Sequence, residues 1–335
     1  MSDTPTRPDG GAGPWPAMVL TAGLGTRLAP LSGLRAKPAL PVAGVPLVGR
    51  ILRWLATGGV RRAVLNLHHL PDTITAAVGD GEAFGVRVTY SREQVVLGRA
   101  GGPARALPLV GADRFFLVNG DTLTNLDLEA VAARHRASGA AVTLALIPNP
   151  DPARYGGVSV DEDGCVTGFT PPGPDNRGWH FIGVQAVEAA VFAMVDPDTP
   201  SDTFNGVYRE LIARRRGVIR AFTSGASFQD IGTAADYLET CLAVARAEGL
   251  GDTLVGSRSS IDRGARVSRS VLWDDVRVED GAALDWCVIA DGVTVPPGAR
   301  LDGCVITPGR GRGAGPGESW LGSLLVSPLG SRRRE

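Results

Sequence analysis

The sequence predicts an α/β fold, with a mainly parallel sheet sandwiched by helices, followed by a short solenoid of β-strands. Two patterns predict this architecture. Up to about residue 250, short apolar runs alternate with segments of helical periodicity, as in βαβ units. Beyond that point, aliphatic residues and glycines recur every 17 residues, a register that stacked short strands can keep and a helix cannot.

The α/β part opens with a buried strand at 17–21, where an apolar run ends in glycine-rich sequence. Further apolar runs predict strands at 63–67, 86–90, 115–118 and 142–147, and helical periodicity predicts helices at 47–55, 103–107, 128–138, 205–216 and 233–248. Two-residue alternation around Asp163 and Gly164 predicts an antiparallel hairpin with a long loop. Thr233 is the expected N-cap of the last helix.

The repeat beyond residue 250 has four aligned columns. They are Ile261, Val278 and Val295; Val267, Leu284 and Leu301; Val271, Val288 and Val305; and Gly264, Gly281 and Gly298. We expect each aliphatic residue to point inward and each glycine to turn a corner. The pattern resembles the left-handed β-helix built of hexapeptide repeats, with about three coils.

These patterns divide the chain into four segments. Residues 1–16 and 309–335 are rich in Gly and Pro, the second also in Ser and Arg, and we expect both to be disordered tails. The α/β domain is predicted at 17–250 and the β-helix at 251–308.

Composition excludes several classes of partner. The 335 residues carry a formal net charge of −1, so no overall field favours nucleic acid or an anionic membrane. No apolar run approaches the roughly 18 residues of a membrane span, and the first sixteen residues lack the pattern of a signal peptide, so a cytoplasmic location is expected. The four cysteines show no zinc-site spacing and are predicted to be small buried residues in a reducing compartment.

A glycine-rich loop follows the first strand. Gly23 and Gly25 would let backbone N–H groups approach phosphate oxygens, and Arg27 adds a planar cation with several donors. The loop matches neither the P-loop nor the dinucleotide-binding pattern. A tight turn without a ligand is the alternative explanation.

Lys37 lies ten residues further on and is the only lysine among the 34 basic residues. Its retention in so arginine-rich a chain indicates a position where a guanidinium fails. A compact ammonium group against a reacting phosphate is such a position. The alternative is an ordinary surface lysine.

Two aspartates are candidate ligands for Mg²⁺. Asp121 follows the predicted strand 115–118, and the ligand crevice of an open α/β sheet lies at the carboxyl ends of its strands. Asp230 precedes the last predicted helix. Two carboxylates with phosphate oxygens are a usual way to hold Mg²⁺. A turn aspartate at 121 and a helix-capping aspartate at 230 are the alternatives.

Together these segments resemble the signature of the sugar-1-phosphate nucleotidyltransferases, over about residues 17–245. The matching segments, in order, are Ala22-Gly23-Leu24-Gly25-Thr26-Arg27-Leu28-Ala29-Pro30-Leu31, Lys37-Pro38, Pro41-Val42, Glu93 through Leu97-Gly98, Ala100-Gly101-Gly102, Val118-Asn119-Gly120-Asp121, Tyr155-Gly156 and Asp230-Ile231-Gly232-Thr233. The resemblance implies a Rossmann-like sheet, and relatives commonly carry a trailing hexapeptide β-helix.

The resemblance also implies roles for individual residues. Arg27 and Lys37 would serve the phosphate chemistry, while Asp121 and Asp230 would hold the metal. Residues near the nucleotide would be Ala22, Gly23, Gly25, Thr26, Glu93 and Gly98, and Gly156 would lie near the sugar. His180 is a further candidate for the sugar pocket, although a histidine packed on a half-buried strand is the favoured alternative.

The chain departs from the family pattern in two places. Thr170-Pro171-Pro172 stands where relatives often have Glu-Lys-Pro, so the second lysine is absent and Arg177 is a candidate substitute. Arg99 stands where a threonine is usual.

The expected reaction is transfer of a nucleoside monophosphate from a nucleoside triphosphate to a sugar 1-phosphate, with release of pyrophosphate. The nucleophile is already an anion, so no Ser/His/Asp triad is required. Resemblance to longer relatives with a β-helix favours mannose 1-phosphate and GTP. The alternatives are a uridylyl- or thymidylyltransferase acting on another hexose 1-phosphate, and a non-catalytic subunit that senses nucleotide sugars.

The β-helix leaves two further readings open. An acyltransferase is disfavoured because all four histidines precede residue 251. Packing against the catalytic domain or against another subunit, which would make the protein a homo-oligomer, is favoured.

Overall fold

A computed structural model describes residues 15–309 and 314–330. Contacts between backbone positions divide the chain into two compact units. Within the described residues, unit 1 contains 15–23 together with 48–228, and unit 2 contains 24–47 together with 229–309 and 314–330. The boundary therefore falls inside the glycine-rich loop, directly after Gly23.

Within the described residues, the helices are α1 Leu47–Thr57, α2 Pro71–Val78, α3 Gly98–Val110, α4 Leu128–Ser138, α5 Ala190–Ala193, α6 Tyr208–Arg214 and α7 Ala234–Ala247. The strands before residue 250 are β1 Ala17–Leu20, β2 Pro41–Val42, β3 Val45–Pro46, β4 Arg62–Leu67, β5 Arg87–Arg92, β6 Arg114–Asn119, β7 Thr122–Leu123, β8 Val142–Ile147, β9 Gly157–Val160, β10 Val166–Thr170, β11 His180–Glu188, β12 Ile219–Thr223 and β13 Gln229–Asp230. Sequence periodicity missed α2, α5, β12 and the two-residue strands β2, β3, β7 and β13, because these elements are too short to show a clear period.

Unit 1 is built on one seven-stranded sheet in the order β12-β8-β11-β6-β1-β4-β5. The pairs β1–β4, β1–β6, β4–β5 and β8–β12 are parallel, and β11 is antiparallel to both of its neighbours. The separate hairpin β9–β10 turns at Gly164, as predicted. The mainly parallel α/β fold is therefore confirmed.

Helices cover both faces of this sheet, as alternate side chains of β6 show. Phe115 belongs to the apolar cluster that contains Ala104 of α3. Phe116, the next residue, contacts Trp15, whose ring packs edge-on against His135 of α4. Because successive side chains of a strand point to opposite faces, α3 and α4 lie on opposite sides of the sheet.

The β-helix of unit 2 has three faces of parallel strands. In chain order its strands are β14 Thr253–Val255, β15 Ser260–Ile261, β16 Arg266–Ser268, β17 Ser270–Leu272, β18 Arg277–Val278, β19 Ala283–Asp285, β20 Val288–Ile289, β21 Thr294–Val295, β22 Arg300–Asp302 and β23 Cys304–Pro308, followed by β24 Ser319–Leu321 and β25 Leu324–Pro328. Val278 pairs with Val295, and Leu284 pairs with Leu301, so the 17-residue register is confirmed.

One column of the repeat does not point inward as predicted. The inner apolar cluster contains Leu272, Ile289 and Ile306 rather than the adjacent Val271, Val288 and Val305. Neighbouring residues of a strand face opposite ways, so the valines lie on the outer side of the sheet, where α7 contacts β17. The inward positions follow steps of six, six and five residues.

The prediction of a disordered C-terminal tail is wrong for the described part of 309–335. Strand β25 pairs with β23, the last strand of the β-helix, over five residues, and β24 pairs with β25. Leu325 and Leu329 are 2% and 3% exposed. The hairpin covers the open edge of the last coil, which provides the physical reason for its order.

Of the predicted N-terminal tail 1–16, residues 1–14 lie outside the described part of the chain. Trp15 is packed as described above, and the carbonyl of Pro16 accepts a hydrogen bond from the Phe116 N–H. All four cysteines are buried and free of disulfides, as expected from the sequence. No helix within 15–309 or 314–330 is both long and apolar enough to cross a membrane.

Candidate active site

The carboxyl ends of four parallel strands define one edge of the unit 1 sheet. Ala22 follows β1, Glu93 follows β5, and Asp121 follows β6, with β4 ending between the first two. Parallel strands end at the same edge, and this edge is where open α/β sheets bind ligands. The structure therefore places three of the predicted site residues along one edge.

A buried asparagine organises this edge. Asn66 of β4 is 2% exposed, and its side-chain oxygen accepts a 2.7 Å hydrogen bond from the Thr21 N–H. The main-chain carbonyl of Asn66 accepts a second hydrogen bond, from the Thr21 hydroxyl. The side-chain nitrogen of Asn66 donates to Oε1 of Glu93 at 2.7 Å. The turn that leads to Ala22 and Gly23 is thus bound directly to the end of β4 and, through the Asn66 side chain, to the segment after β5.

Glu93 is buried, and both of its carboxylate oxygens are engaged within the protein. Oε1 accepts from Asn66, and Oε2 accepts a 3.0 Å hydrogen bond from the Leu97 N–H, just before α3. Gly98 begins that helix with φ +76°, and a Cβ there would lie 2.5 Å from the Ser201 carbonyl oxygen. Glu93 therefore shapes the loop 93–98 and presents its backbone.

The turn before Asp121 requires a glycine. The Gly120 N–H donates a 3.0 Å hydrogen bond to the Leu20 carbonyl, and a Cβ at Gly120 would lie only 2.4 Å from that oxygen. This close approach binds the end of β6 to the end of β1, next to Ala22. The half-buried carboxylate of Asp121 follows directly and is a hard oxygen donor of the kind that Mg²⁺ prefers.

The two glycines of the glycine-rich loop are under different structural constraints. Gly25 has φ +61°, and a Cβ there would lie 3.4 Å from the Cβ of Lys37, so both backbone conformation and packing require glycine. Gly23 has neither constraint, because a Cβ at this position would meet no atom within 4 Å. Open space over an unconstrained glycine fits the predicted approach of a ligand to its backbone.

Residues 24–47, called the signature segment from here on, form short turns followed by the two-residue strands β2 and β3. Three 3₁₀ turns cover Thr26–Leu28, Leu31–Gly33 and Lys37–Ala39. Buried Leu28, Leu31 and Leu40 anchor these turns, while Thr26 and Arg27 are exposed. Lys37 opens the third turn and is half-buried, with Gly25 packed beside its Cβ.

Asp230 lies in unit 2 and does not cap α7, so that alternative is excluded. Thr233 is the N-cap, as predicted, with its hydroxyl accepting from the Asp236 N–H and the Asp236 side chain accepting from the Thr233 N–H. Asp230 precedes the buried Ile231 and is itself half-buried. In the described part of the chain, no group of three or more His, Cys, Asp or Glu side chains is arranged to hold a metal. Two aspartates would thus need phosphate oxygens to complete a coordination sphere.

His180 is a packed histidine, as the favoured alternative predicted. Its ring is 4.5 Å from that of Tyr155 and 4.4 Å from that of Phe228, between centroids. Burial lowers the pKa of His180 to about 4, against a smaller opposing effect of the Gly156 backbone. The imidazole is therefore neutral at pH 7 and cannot serve as a cation for the sugar phosphate, although both predicted sugar-site residues lie in this cluster.

The departures from the family pattern have local explanations. Arg99 forms a 2.7 Å ion pair with Asp202 and lies over the Phe204 ring at 5.0 Å, which attaches the start of α3 to the segment 201–204. The Thr170 hydroxyl donates a 3.0 Å hydrogen bond to Asn176 in the loop after β10. Arg177 is exposed in that same loop, where it remains a candidate for the missing lysine.

Sequence reasoning missed the packing roles of three residues of this region, although Tyr155 was named as part of the Tyr155-Gly156 match. Asn66 had a signal, as a lone amide within the apolar run of β4. Tyr155 and Phe228 had none, because nothing in the sequence indicates that residues so far apart enclose His180.

Comparison with known proteins identifies the class. The profile of the nucleotidyl transferase family matches residues 16–247, and a GlmU-like C-terminal hexapeptide profile matches 244–309. The chain therefore belongs to the nucleotidyl transferase family, and it is an enzyme with a left-handed hexapeptide β-helix.

Individual relatives differ in their substrates. Over 290 residues the chain is 29% identical to a mannose-1-phosphate guanylyltransferase of Mycobacterium tuberculosis, covering 78% of this chain and 81% of the relative. It is 38% identical over 179 residues to an N-acetylmuramate alpha-1-phosphate uridylyltransferase of Neisseria meningitidis serogroup B, covering 52% and 76%. HddC from Yersinia pseudotuberculosis, solved in complex with GMP-PN, is similar with a TM-score of 0.60 and 26% identity, covering 69% of this chain and 99% of HddC.

Proposed function

We propose that this enzyme transfers a guanylyl group from GTP to mannose 1-phosphate, giving a nucleotide sugar and pyrophosphate. The observation that carries the proposal is retention of Arg27, Lys37, Asp121 and Asp230 in a chain of this family. The guanylyltransferase relative and the GMP-PN complex favour guanine. A uridylyl- or thymidylyltransferase acting on another hexose 1-phosphate is the second candidate, favoured by the N-acetylmuramate relative.

In the proposed reaction an oxygen of the sugar phosphate attacks the α-phosphorus in line, and the bond to pyrophosphate breaks. Catalysis then consists of positioning and charge neutralisation. Arg27 would stabilise the leaving pyrophosphate, and Lys37 would draw the reacting phosphates together. A divalent metal ion held by Asp121 and Asp230 would neutralise phosphate oxygens.

The nucleotide would be held mainly by backbone groups. Ala22, Gly23, Gly25 and Thr26 would offer the N–H groups of the glycine-rich loop. The loop 93–98, shaped by Glu93 and Gly98, would lie near the base and ribose. Gly156 and the neutral His180 cluster would lie near the sugar. Neutral ring nitrogens suit hydroxyl groups rather than phosphate, because they act as one donor and one acceptor.

The test is a panel of the four common nucleoside triphosphates against six sugar 1-phosphates, read by pyrophosphate release. We expect the highest kcat/KM with GTP and mannose 1-phosphate, and none with the Asp121→Asn variant, which controls for contaminating enzymes. A higher value with UTP or dTTP would transfer the assignment to the second candidate. No release with any pair from folded protein would contradict nucleotidyl transfer to sugars altogether.

A further inference from the structure

Arg35 connects the signature segment to the β-helix within unit 2. It lies two residues before Lys37, and its guanidinium donates to Asp291 through Nε at 2.8 Å and through Nη2 at 2.6 Å. Nη2 also donates to Asp274 at 2.9 Å. Burial acts to lower the pKa of Arg35, but the two carboxylates outweigh it and the pKa is raised. Asp274 and Asp291 are 17 residues apart, at the same position on successive coils.

A second connection lies four residues after Lys37. The Pro41 carbonyl accepts a 2.5 Å hydrogen bond from the hydroxyl of Tyr237 in α7, and that hydroxyl accepts a 2.9 Å bond from Nε1 of Trp273. Tyr237 and Trp273 are 0% and 1% exposed. The Arg35 guanidinium also lies over the Trp273 ring, with its Cζ 5.2 Å from the ring centroid.

The two connections meet at one corner of the β-helix. Trp273 and Asp274 are adjacent in the chain. Asp274 binds Arg35 directly, and Trp273 reaches Pro41 through the Tyr237 hydroxyl. Residues 35–41 contain one helical turn, the 3₁₀ turn Lys37–Ala39, and the stretch ends where β2 begins at Pro41. The contacts of Arg35 and Pro41 with the β-helix and α7 therefore add to what fixes the position of Lys37.

We propose that Trp273, Asp274 and Asp291 are positioning residues for Lys37, so that the β-helix takes part in nucleotidyl transfer by holding the signature segment. The inference rests on the proposed function, in which Lys37 acts on the reacting phosphates. A displacement of about 1 Å in such a group can cost on the order of a hundredfold in rate. The β-helix thereby serves catalysis without contacting substrate.

Other Arg–Asp pairs of the β-helix differ in what they connect. Arg258 binds Asp275 through two 2.6 Å hydrogen bonds, and both residues belong to the β-helix. This pair lies on the same turn as Asp274 and is more exposed. It is therefore a matched control, because breaking it changes the β-helix surface and leaves the signature segment untouched.

The test compares the full-length Asp274→Asn/Asp291→Asn double variant with Asp275→Asn. Asparagine keeps the side-chain oxygens that accept from the Ser257 and Asp274 N–H groups, so the coils should stay intact. We expect kcat of the double variant to fall about tenfold with KM for both substrates nearly unchanged, because Lys37 acts mainly in the transition state. Hydrogen exchange of the peptide covering 24–47 should accelerate. Asp275→Asn should change neither quantity.

A thermodynamic cycle with Lys37→Arg separates positioning from general damage. If the two aspartates act through Lys37, their substitution should lower kcat by less than about twofold in the Lys37→Arg background. A similar tenfold loss in both backgrounds would overturn the inference. So would unchanged exchange of 24–47, or accelerated exchange with full turnover.

Failure of the proposed function would be visible separately, in the wild type. Wild-type protein without pyrophosphate release on any substrate pair would remove the catalytic role of Lys37 and, with it, the positioning role. Normal wild-type turnover together with unchanged turnover of the Asp274→Asn/Asp291→Asn variant would overturn only the role of the β-helix.

Discussion

The candidate site residues come from two regions that hold their side chains by different means. Along the unit 1 sheet edge, buried polar groups bind one strand end to the next, with Asn66 and Glu93 at the centre. The signature segment 24–47 has short turns instead, and side chains from α7 and the β-helix hold it. The sheet edge is part of the core of unit 1, whereas the signature segment is held in place by side chains of α7 and the β-helix.

This difference predicts two kinds of response to mutation. Substitution of a buried polar group at the sheet edge should lower stability, because its partners lose hydrogen bonds away from water. Substitution of an exposed or half-exposed group in the signature segment should lower turnover and leave stability nearly unchanged.

Withdrawal of divalent metal should have the largest effect, because the proposed reaction needs charge neutralisation at the phosphate oxygens. Excess chelator should abolish pyrophosphate release, and added Mg²⁺ or Mn²⁺ should restore it. Asp121→Asn and Asp230→Asn should each lose most turnover while the melting temperature stays near that of wild type. The assay is steady-state turnover with a thermal melt for each variant.

The control for charge loss is Asp72→Asn, at an exposed position in the first turn of α2. It should keep full turnover. Full activity of the wild type in excess chelator would contradict the metal assignment, and loss with only one of the two aspartate variants would confine the metal site to one region.

Lys37→Arg tests the signature segment. The charge is kept, but a planar fork cannot replace a compact ammonium between two reacting phosphates. We expect kcat to fall at least about 100-fold, equivalent to about 2.7 kcal/mol of transition-state stabilisation, with the free energy of unfolding within about 0.5 kcal/mol of wild type. Saturating substrate should not restore the rate. Near-normal turnover would mean that Lys37 is an ordinary surface lysine.

Asn66→Ala tests the sheet edge. The substitution leaves the Thr21 N–H and Glu93 Oε1 without their partner, and we expect a loss of about 2 kcal/mol in the free energy of unfolding, measured by denaturant titration. Asn125→Ala is the matched control, because Asn125 is exposed and accepts one 2.8 Å hydrogen bond from the Ser227 N–H. Its loss should be less than half as large. Equal losses in the free energy of unfolding would show that the buried network stabilises the fold no more than a surface hydrogen bond does.

The same contrast explains what could be predicted from sequence. Periodicity located β6 and the turn at Gly120 and Asp121, because strand ends and glycine turns are local features. The roles of Asn66 and Arg35 depend on partners 27 and 256 residues away, and no local pattern encodes those pairings. The C-terminal hairpin was missed for a related reason: its buried leucines are surrounded by Gly, Pro and Ser, and only the open edge of β23 makes a strand favourable there.

The smallest expected effect is the pH dependence contributed by His180. Burial lowers its folded-state pKa to about 4, below the ordinary value of 6.5. Its contribution to stability is therefore fully present above pH 6.5 and is lost as pH falls toward 4. Between pH 7.0 and 5.5 this should lower the free energy of unfolding by about 1 kcal/mol, and His180→Phe should remove that part of the slope.

A second histidine should leave a residual slope in the variant. Burial also lowers the pKa of His135, despite an opposing effect of Glu188. Identical slopes for wild type and His180→Phe would mean that the imidazole is protonated in place, and it would then be a cation available to the sugar phosphate after all.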